Sequence, residues 1–127
     1  EAAMTARAQQ LGNLVAIVDR NCQFMTSFSE ESIVLENYAD KWRAFGWNVI
    51  EIADGNDMTQ VLDALAKLPE SDTKTPTVVI SHTIKGKQIS FMERQLKWHA
   101  GSLNDADLET ALHDLDESFA AQKEALQ

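Results

Sequence analysis

Three short apolar runs, separated by stretches of helical periodicity, decide what this chain can fold into. The first is Asn13-Leu14-Val15-Ala16-Ile17-Val18-Asp19, bounded by Gly12 and Asp19. Its apolarity is continuous rather than alternating, the pattern of a strand covered on both faces. Asn48-Val49-Ile50-Glu51-Ile52 reads as a second strand and Pro76-Thr77-Val78-Val79-Ile80-Ser81 as a third. The proline opens that third strand, where its missing donor costs nothing. Between and around them lie helices. Met4, Ala8 and Leu11 fall at i, i+4, i+7 in a helix over Glu1–Leu11. Leu35, Tyr38, Ala39 and Trp42 repeat in the same way, and Gly46 is a natural stop. Asp57 with Gln60 forms a capping-box pattern ahead of the stripe Val61, Leu65, Leu68, and Pro69 ends that helix. Asn104 caps a last helix bearing Leu108, Ala111, Leu112 and Leu115, continued by the acidic tail to Gln127. Segment 20–33 is a loop of mixed character, Glu70 to Thr75 a polar loop, and His82 to Gly101 has little periodicity. Helices alternating with strands predict the α/β class: a parallel sheet flanked by helices. Three strands make a thin sheet for an independent domain.

Composition narrows the functions. The 127 residues carry 11 basic and 20 acidic side chains, a net charge of −9. That length buries one core and excludes two tightly packed domains. The acidic balance excludes nucleic-acid binding driven by net charge. The sequence holds no run of about 18 apolar residues, so no membrane span is expected. Glu1-Ala2-Ala3-Met4 has neither a basic nor an apolar leader segment. Cys22 is the single cysteine, which fits a reducing compartment and a cytoplasmic location. The first helix begins without a cap residue, and the expectation is a chain cut from something longer.

In open parallel sheets, ligands bind beyond the carboxyl ends of the strands. Three segments sit there: Asp19-Arg20-Asn21-Cys22-Gln23, Asp54-Gly55-Asn56-Asp57 and His82-Thr83-Ile84-Lys85-Gly86-Lys87. Lys97-Trp98-His99-Ala100-Gly101 follows in the long loop. Together they offer oxygen ligands, cationic donors and an imidazole, a set suited to a hard cation and a phosphorylated ligand. Each also has an ordinary reading. Asn21 is a turn residue after a strand, Lys85-Gly86-Lys87 a solvated loop, and His99 a packed or surface histidine. Asp54 to Asp57 is fully explained as turn plus cap. His82 is expected to be a satisfied structural histidine, His113 solvated, Cys22 inert, and Trp42 and Trp47 core or interface.

The combination is more specific than its parts. Glu1-Ala2-Ala3-Met4 followed by Asn13 to Asn21 resembles the thiamine-diphosphate motif of transketolases, and more narrowly the separate N-terminal subunit of two-chain bacterial transketolases. Ala39-Asp40-Lys41-Trp42-Arg43-Ala44-Phe45-Gly46-Trp47, Asp54-Gly55-Asn56-Asp57, His82 to Lys87, Ser90-Phe91-Met92-Glu93 and Trp98-His99-Ala100-Gly101 follow in that family's order and spacing. The likeness covers nearly the whole chain.

The resemblance implies a partial thiamine-diphosphate-binding (diphosphate) domain over residues 1–127. It implies thiamine diphosphate and a magnesium or calcium ion as cofactors. Asn21 matches the asparagine that closes the family's motif and ligates the metal, and Gln23 the position whose main-chain carbonyl does so. Lys85 matches a lysine beside the cofactor. His99, the catalytic candidate, matches a histidine that contacts the diphosphate and the sugar and is placed to move a proton. The motif's opening Gly-Asp-Gly is expected just upstream of Glu1, and the glutamate that activates the aminopyrimidine belongs to another domain. The chain alone is therefore expected to be inactive. The implied partners are the upstream part of the same subunit and a C-terminal subunit carrying the pyrimidine domain, as a dimer of heterodimers acting on sugar phosphates, with no nucleic acid and no membrane. The implied reaction moves a two-carbon ketol unit from a ketose to an aldose. Cys22, Phe24, Thr26, Ser27 and Gln88 depart from the family pattern and leave the donor sugar open. The alternatives are another thiamine-diphosphate enzyme, a deoxyxylulose-phosphate synthase or a dehydrogenase E1 component, or a non-catalytic α/β interaction module.

Overall fold

The computed structural model describes residues 1–70 and 73–125. Positions 71–72 of the expected polar loop and the last two positions of the expected final helix lie outside the described residues. In chain order the elements are α1 (Ala2–Ala8), β1 (Val15–Arg20), α2 (Ser29–Ser32), α3 (Tyr38–Ala44), β2 (Asn48–Ile52), α4 (Met58–Leu65), β3 (Thr77–His82), a 3₁₀ turn (Leu96–His99) and α5 (Asp105–Ala125). All three strands are parallel, in the spatial order β1-β3-β2. This is the expected α/β arrangement, with the last strand in the middle.

The pleat sends alternate side chains to two cores. On one face Val78 and Ile80 pack with Ala6, Ala39 and Trp47, with Ala16, Val18 and Val49 around them. On the other, Val79 and Ile52 pack on Ala64 of α4, with Ile50, Val61 and Leu68 alongside. Val78, Val79 and Ile80 are at most 1% exposed. Burying each such side chain stabilises the fold by roughly 1.5–3 kcal/mol.

Two devices foreseen in the sequence are present. Helix α3 ends in a Schellman motif: the amide of Gly46 donates to the carbonyl of Arg43 (2.9 Å) and that of Trp47 to the carbonyl of Trp42 (3.3 Å). Gly46 supplies the positive φ of 81°, and the Trp42 and Trp47 rings meet edge to face at 5.0 Å. Asp57 caps α4 by accepting from the amide of Thr59 at 2.9 Å, while Gln60 donates to the same carboxylate at 3.1 Å.

Other expectations need correction. β1 is not covered on both faces. Its burial alternates, and Ile17 is 66% exposed, because α4 packs against β2 and β3 and does not reach this edge. In α1 the inward positions are Ala6, buried, and Ala3, half-buried, not Met4, Ala8 and Leu11: small side chains let the helix approach Trp47, whose Nε1 donates to the carbonyl of Ala3 at 2.8 Å. Trp47 is therefore a core residue, one of the two places expected for it. Leu65 of α4 is exposed, and of the α5 stripe only Ala111 is buried. Helix α3 begins at Tyr38, after Leu35, and the mixed loop contains α2.

Candidate functional site

Strand register fixes where the site residues begin. Arg20 ends β1 beside His82, which ends β3. The two loops that carry the candidates therefore start next to each other at the carboxyl edge of the sheet.

The first loop turns at once. Asn21 Oδ1 accepts from the amide of Gln23 at 2.9 Å, and Asn21 Nδ2 donates to Asp19 at 3.1 Å. Cys22 between them takes a left-handed φ of 61°. Gln23 then bridges to Phe28, and the amide of Ser29 donates to the carbonyl of Cys22 at 2.9 Å, closing a short hairpin. Asn21 is thus a turn residue, as its ordinary reading holds, and the same turn fixes its oxygen beside Gln23. The two line a cleft of about 190 Å³ with Arg20, Cys22, Thr83 and Arg94. That is room for about six water molecules, and so for an ion with its shell. Gln23 Oε1 is buried with no hydrogen-bond partner among the described residues.

What holds this loop escaped the sequence reading. Arg20 is 5% exposed. Its guanidinium donates to Ser29 Oγ at 2.8 Å, to Glu36 at 3.0 Å and to Glu30, and lies 5.4 Å over the Tyr38 ring. Burial alone would lower its pKa, but the bonds from Glu30 and Glu36 reverse this and leave it above its ordinary value. For Glu30, desolvation pushes upward and is outweighed by the Arg20 bond and the amide of Leu35, so its carboxyl titrates below the usual range. The sequence places an arginine directly before the asparagine, but only its burial and its three-dimensional partners reveal the role.

The second loop leaves β3. Thr83 bonds to Asp19 of the neighbouring strand, and the amide of Ile84 donates to Asn56 at 2.8 Å. Asn56, read as part of a turn, thus also steers this loop. Gly86 has a φ of 74°, and a Cβ there would meet Met92 at 2.7 Å. The Trp98 indole donates to the carbonyl of Phe91 at 2.9 Å and stacks edge-on against its ring. These braces bring Lys85 and His99 together, Nζ to Nδ1, at 2.7 Å. No hydrogen bond or ion pair among the described residues joins this pair to Asn21 and Gln23. His82 is half-exposed with Nε2 3.7 Å from Glu51, while His113 is solvent-exposed as expected. A larger open cleft, about 780 Å³, lies between Asp54–Thr59 and Lys87–Gln88 and is lined by none of the four site candidates.

No group of three or more His, Cys, Asp and Glu side chains among the described residues converges as a metal site. An ion at Asn21 and Gln23 would rest on neutral oxygens and need anionic ligands from elsewhere.

The family profile described as transketolase, thiamine diphosphate binding domain, matches residues 1–125. The chain belongs to this family. Among curated relatives it is 39% identical over 117 residues to one of the subunits of the apulose-4-phosphate transketolase of Phocaeicola vulgatus, covering 92% of this chain and 41% of that protein. It is 35% identical to the 6-deoxy-6-sulfo-D-fructose transketolase subunit SqwG of a Clostridium species, covering 94% of this chain and 43% of that protein. Among solved structures, the transketolase of Campylobacter jejuni superposes with a TM-score of 0.76 at 24% identity, over 87% of this chain and 17% of that one, a likeness of fold. The chain thus spans about two fifths of the length of these two curated relatives.

Proposed function

We propose that residues 1–127 form part of the diphosphate-binding domain of a transketolase-type transferase, which moves a two-carbon ketol unit from a ketose donor to an aldose acceptor. The observation that carries this reading is the Asn21–Gln23 turn: inside a thiamine-diphosphate-domain sequence, it sets a fixed amide oxygen beside a buried, unpartnered acceptor at the carboxyl edge of a parallel sheet.

The residues fit the group. Asn21 Oδ1 and the main-chain carbonyl of Gln23 would supply hard neutral ligands to a magnesium or calcium ion, and the buried Gln23 Oε1 is an acceptor without a partner among the described residues. The diphosphate and a carboxylate from outside residues 1–127 supply the negative ligands. Lys85 balances diphosphate charge, and His99 directs the diphosphate and the donor hydroxyl. When bound, thiamine diphosphate supplies the carbon nucleophile and the electron sink for cleaving a bond next to a carbonyl. The two relatives named as subunits support a second chain that carries the pyrimidine domain, and the assembly proposed is a dimer of heterodimers. The substrates those relatives are named for, a ketose phosphate and a sulfonated ketose, favour an anionic donor sugar. The location proposed is the cytoplasm, where the Cys22 thiol stays reduced.

Calorimetry on the full-length protein with its partner subunit tests the reading. Thiamine diphosphate should bind only with magnesium present, and Asn21→Ala should weaken it about 10–100-fold. His99→Ala should lower turnover more than cofactor affinity. Binding that ignores magnesium, or assemblies that decarboxylate pyruvate but transfer no ketol unit, would overturn it.

A further inference from the structure

Lys85 and His99 come from two separately braced points of one loop. The carbonyl of Lys85 accepts from the amide of Arg94 at 3.1 Å, across the Gly86 turn. His99 ends the 3₁₀ turn anchored by the indole of Trp98 on Phe91. Their 2.7 Å contact therefore joins two held positions, not two free tails. Neither side chain is ion-paired to a carboxylate among the described residues.

The chemistry of the contact is one-directional. A lysine ammonium has three donors and no lone pair. The imidazole nitrogen it touches must be the acceptor, and that nitrogen is Nδ1. A neutral ring with an occupied lone pair on Nδ1 carries its proton on Nε2. We infer that Lys85 is a positioning residue that holds His99 in the Nε2–H tautomer. His99 is then a hydrogen-bond donor toward its ligand and not a proton acceptor, because its one basic nitrogen is engaged by a cation. Such a donor suits an oxygen-rich, anionic ligand. What the donor faces rests on the proposed function, whereas the tautomer itself does not.

The test reads the ring directly. Full-length protein is labelled with ¹⁵N at the histidine ring nitrogens, and His99 is assigned by the signal missing in His99→Gln. In the ligand-free protein, long-range ¹H–¹⁵N correlation should show Nδ1 as the unprotonated nitrogen. In Lys85→Met the Nδ1 resonance should move toward the protonated position as the second tautomer is populated, and Lys85→Arg, which keeps a cationic donor, should restore the original shift. Circular dichroism checks that each variant is folded, and Lys85→Leu, likewise without a cation, carries the comparison if the methionine variant is not. A proton on Nδ1 in the unaltered protein, or the same Nδ1 shift with and without a cation at position 85, overturns the inference. Adding thiamine diphosphate and magnesium to the labelled assembly separates the two claims: an intact Nε2–H tautomer with no response of His99 would defeat the proposed function and leave the tautomer assignment standing.

Discussion

The two loops of the site leave neighbouring strand ends and are held in opposite ways. The loop after β1 is organised around one buried guanidinium, with Ser29, Glu30, Glu36 and Tyr38 converging on Arg20. The loop after β3 has no such hub. It is pinned by many separate contacts near the surface: Ile84 on Asn56, Met92 under Gly86, Trp98 on Phe91 and Ser90 on Asp114. A charge taken out of water and matched by several partners makes an all-or-none anchor, because removing it strands what remains. Distributed contacts fail one at a time. The loop after β1 is thus held as one unit, while the loop after β3 can lose one contact and keep the others.

The contrast is sharpest in what single substitutions should do. Arg20→Met should cost about 2 kcal/mol in denaturant unfolding, since it removes the charged hydrogen bonds that tie Ser29, Glu30 and Glu36 to one buried guanidinium. A loss below about 1 kcal/mol would mean the hub is not a hub. Gly86→Ala should cost about 2 kcal/mol, from a left-handed backbone and a Cβ driven into Met92. It should leave the Asn21 turn intact, which chemical shifts of residues 20–29 would report. The smallest effect is expected at Asp114, whose carboxyl accepts from both Oγ and the amide of Ser90 at 2.7 and 2.8 Å. Those two bonds, with His113 adding a little, hold its pKa below the ordinary value of 3.8. A lowered carboxyl stabilises the folded state above that ordinary value, and the contribution is lost as pH falls through the lower folded one. Asp114→Asn should therefore lower the melting temperature slightly at pH 7 and make no difference at strongly acid pH. An equal deficit at both would show that the charge is irrelevant.

Much of this architecture was legible because it follows from local rules. The strands at Val15–Arg20, Asn48–Ile52 and Thr77–His82 announce themselves by apolar runs, and the Asp57 cap and Gly46 stop by residue type and spacing. The pairing of Asn21 with Gln23 is equally local, two residues apart on a tight turn. What failed depended on neighbours far along the chain. Ile17 reads as interior but lies on a sheet edge that no helix covers among the described residues. Ala3 and Ala6 carry almost no apolar signal, yet they are the side of α1 that meets Trp47. The ring-to-ammonium contact of His99 and Lys85, 14 positions apart, required the path of an aperiodic loop that no hydrophobic period encodes.

One feature of the sheet governs the order in which it can be made. Thr77–His82 is synthesised last of the three strands and is the only ladder partner, among the described residues, of either of the others. Among the described residues Val15–Arg20 and Asn48–Ile52 share no ladder with each other. Neither of these two ladders can form until Thr77–His82 has been made, and both edges then close on the same newcomer.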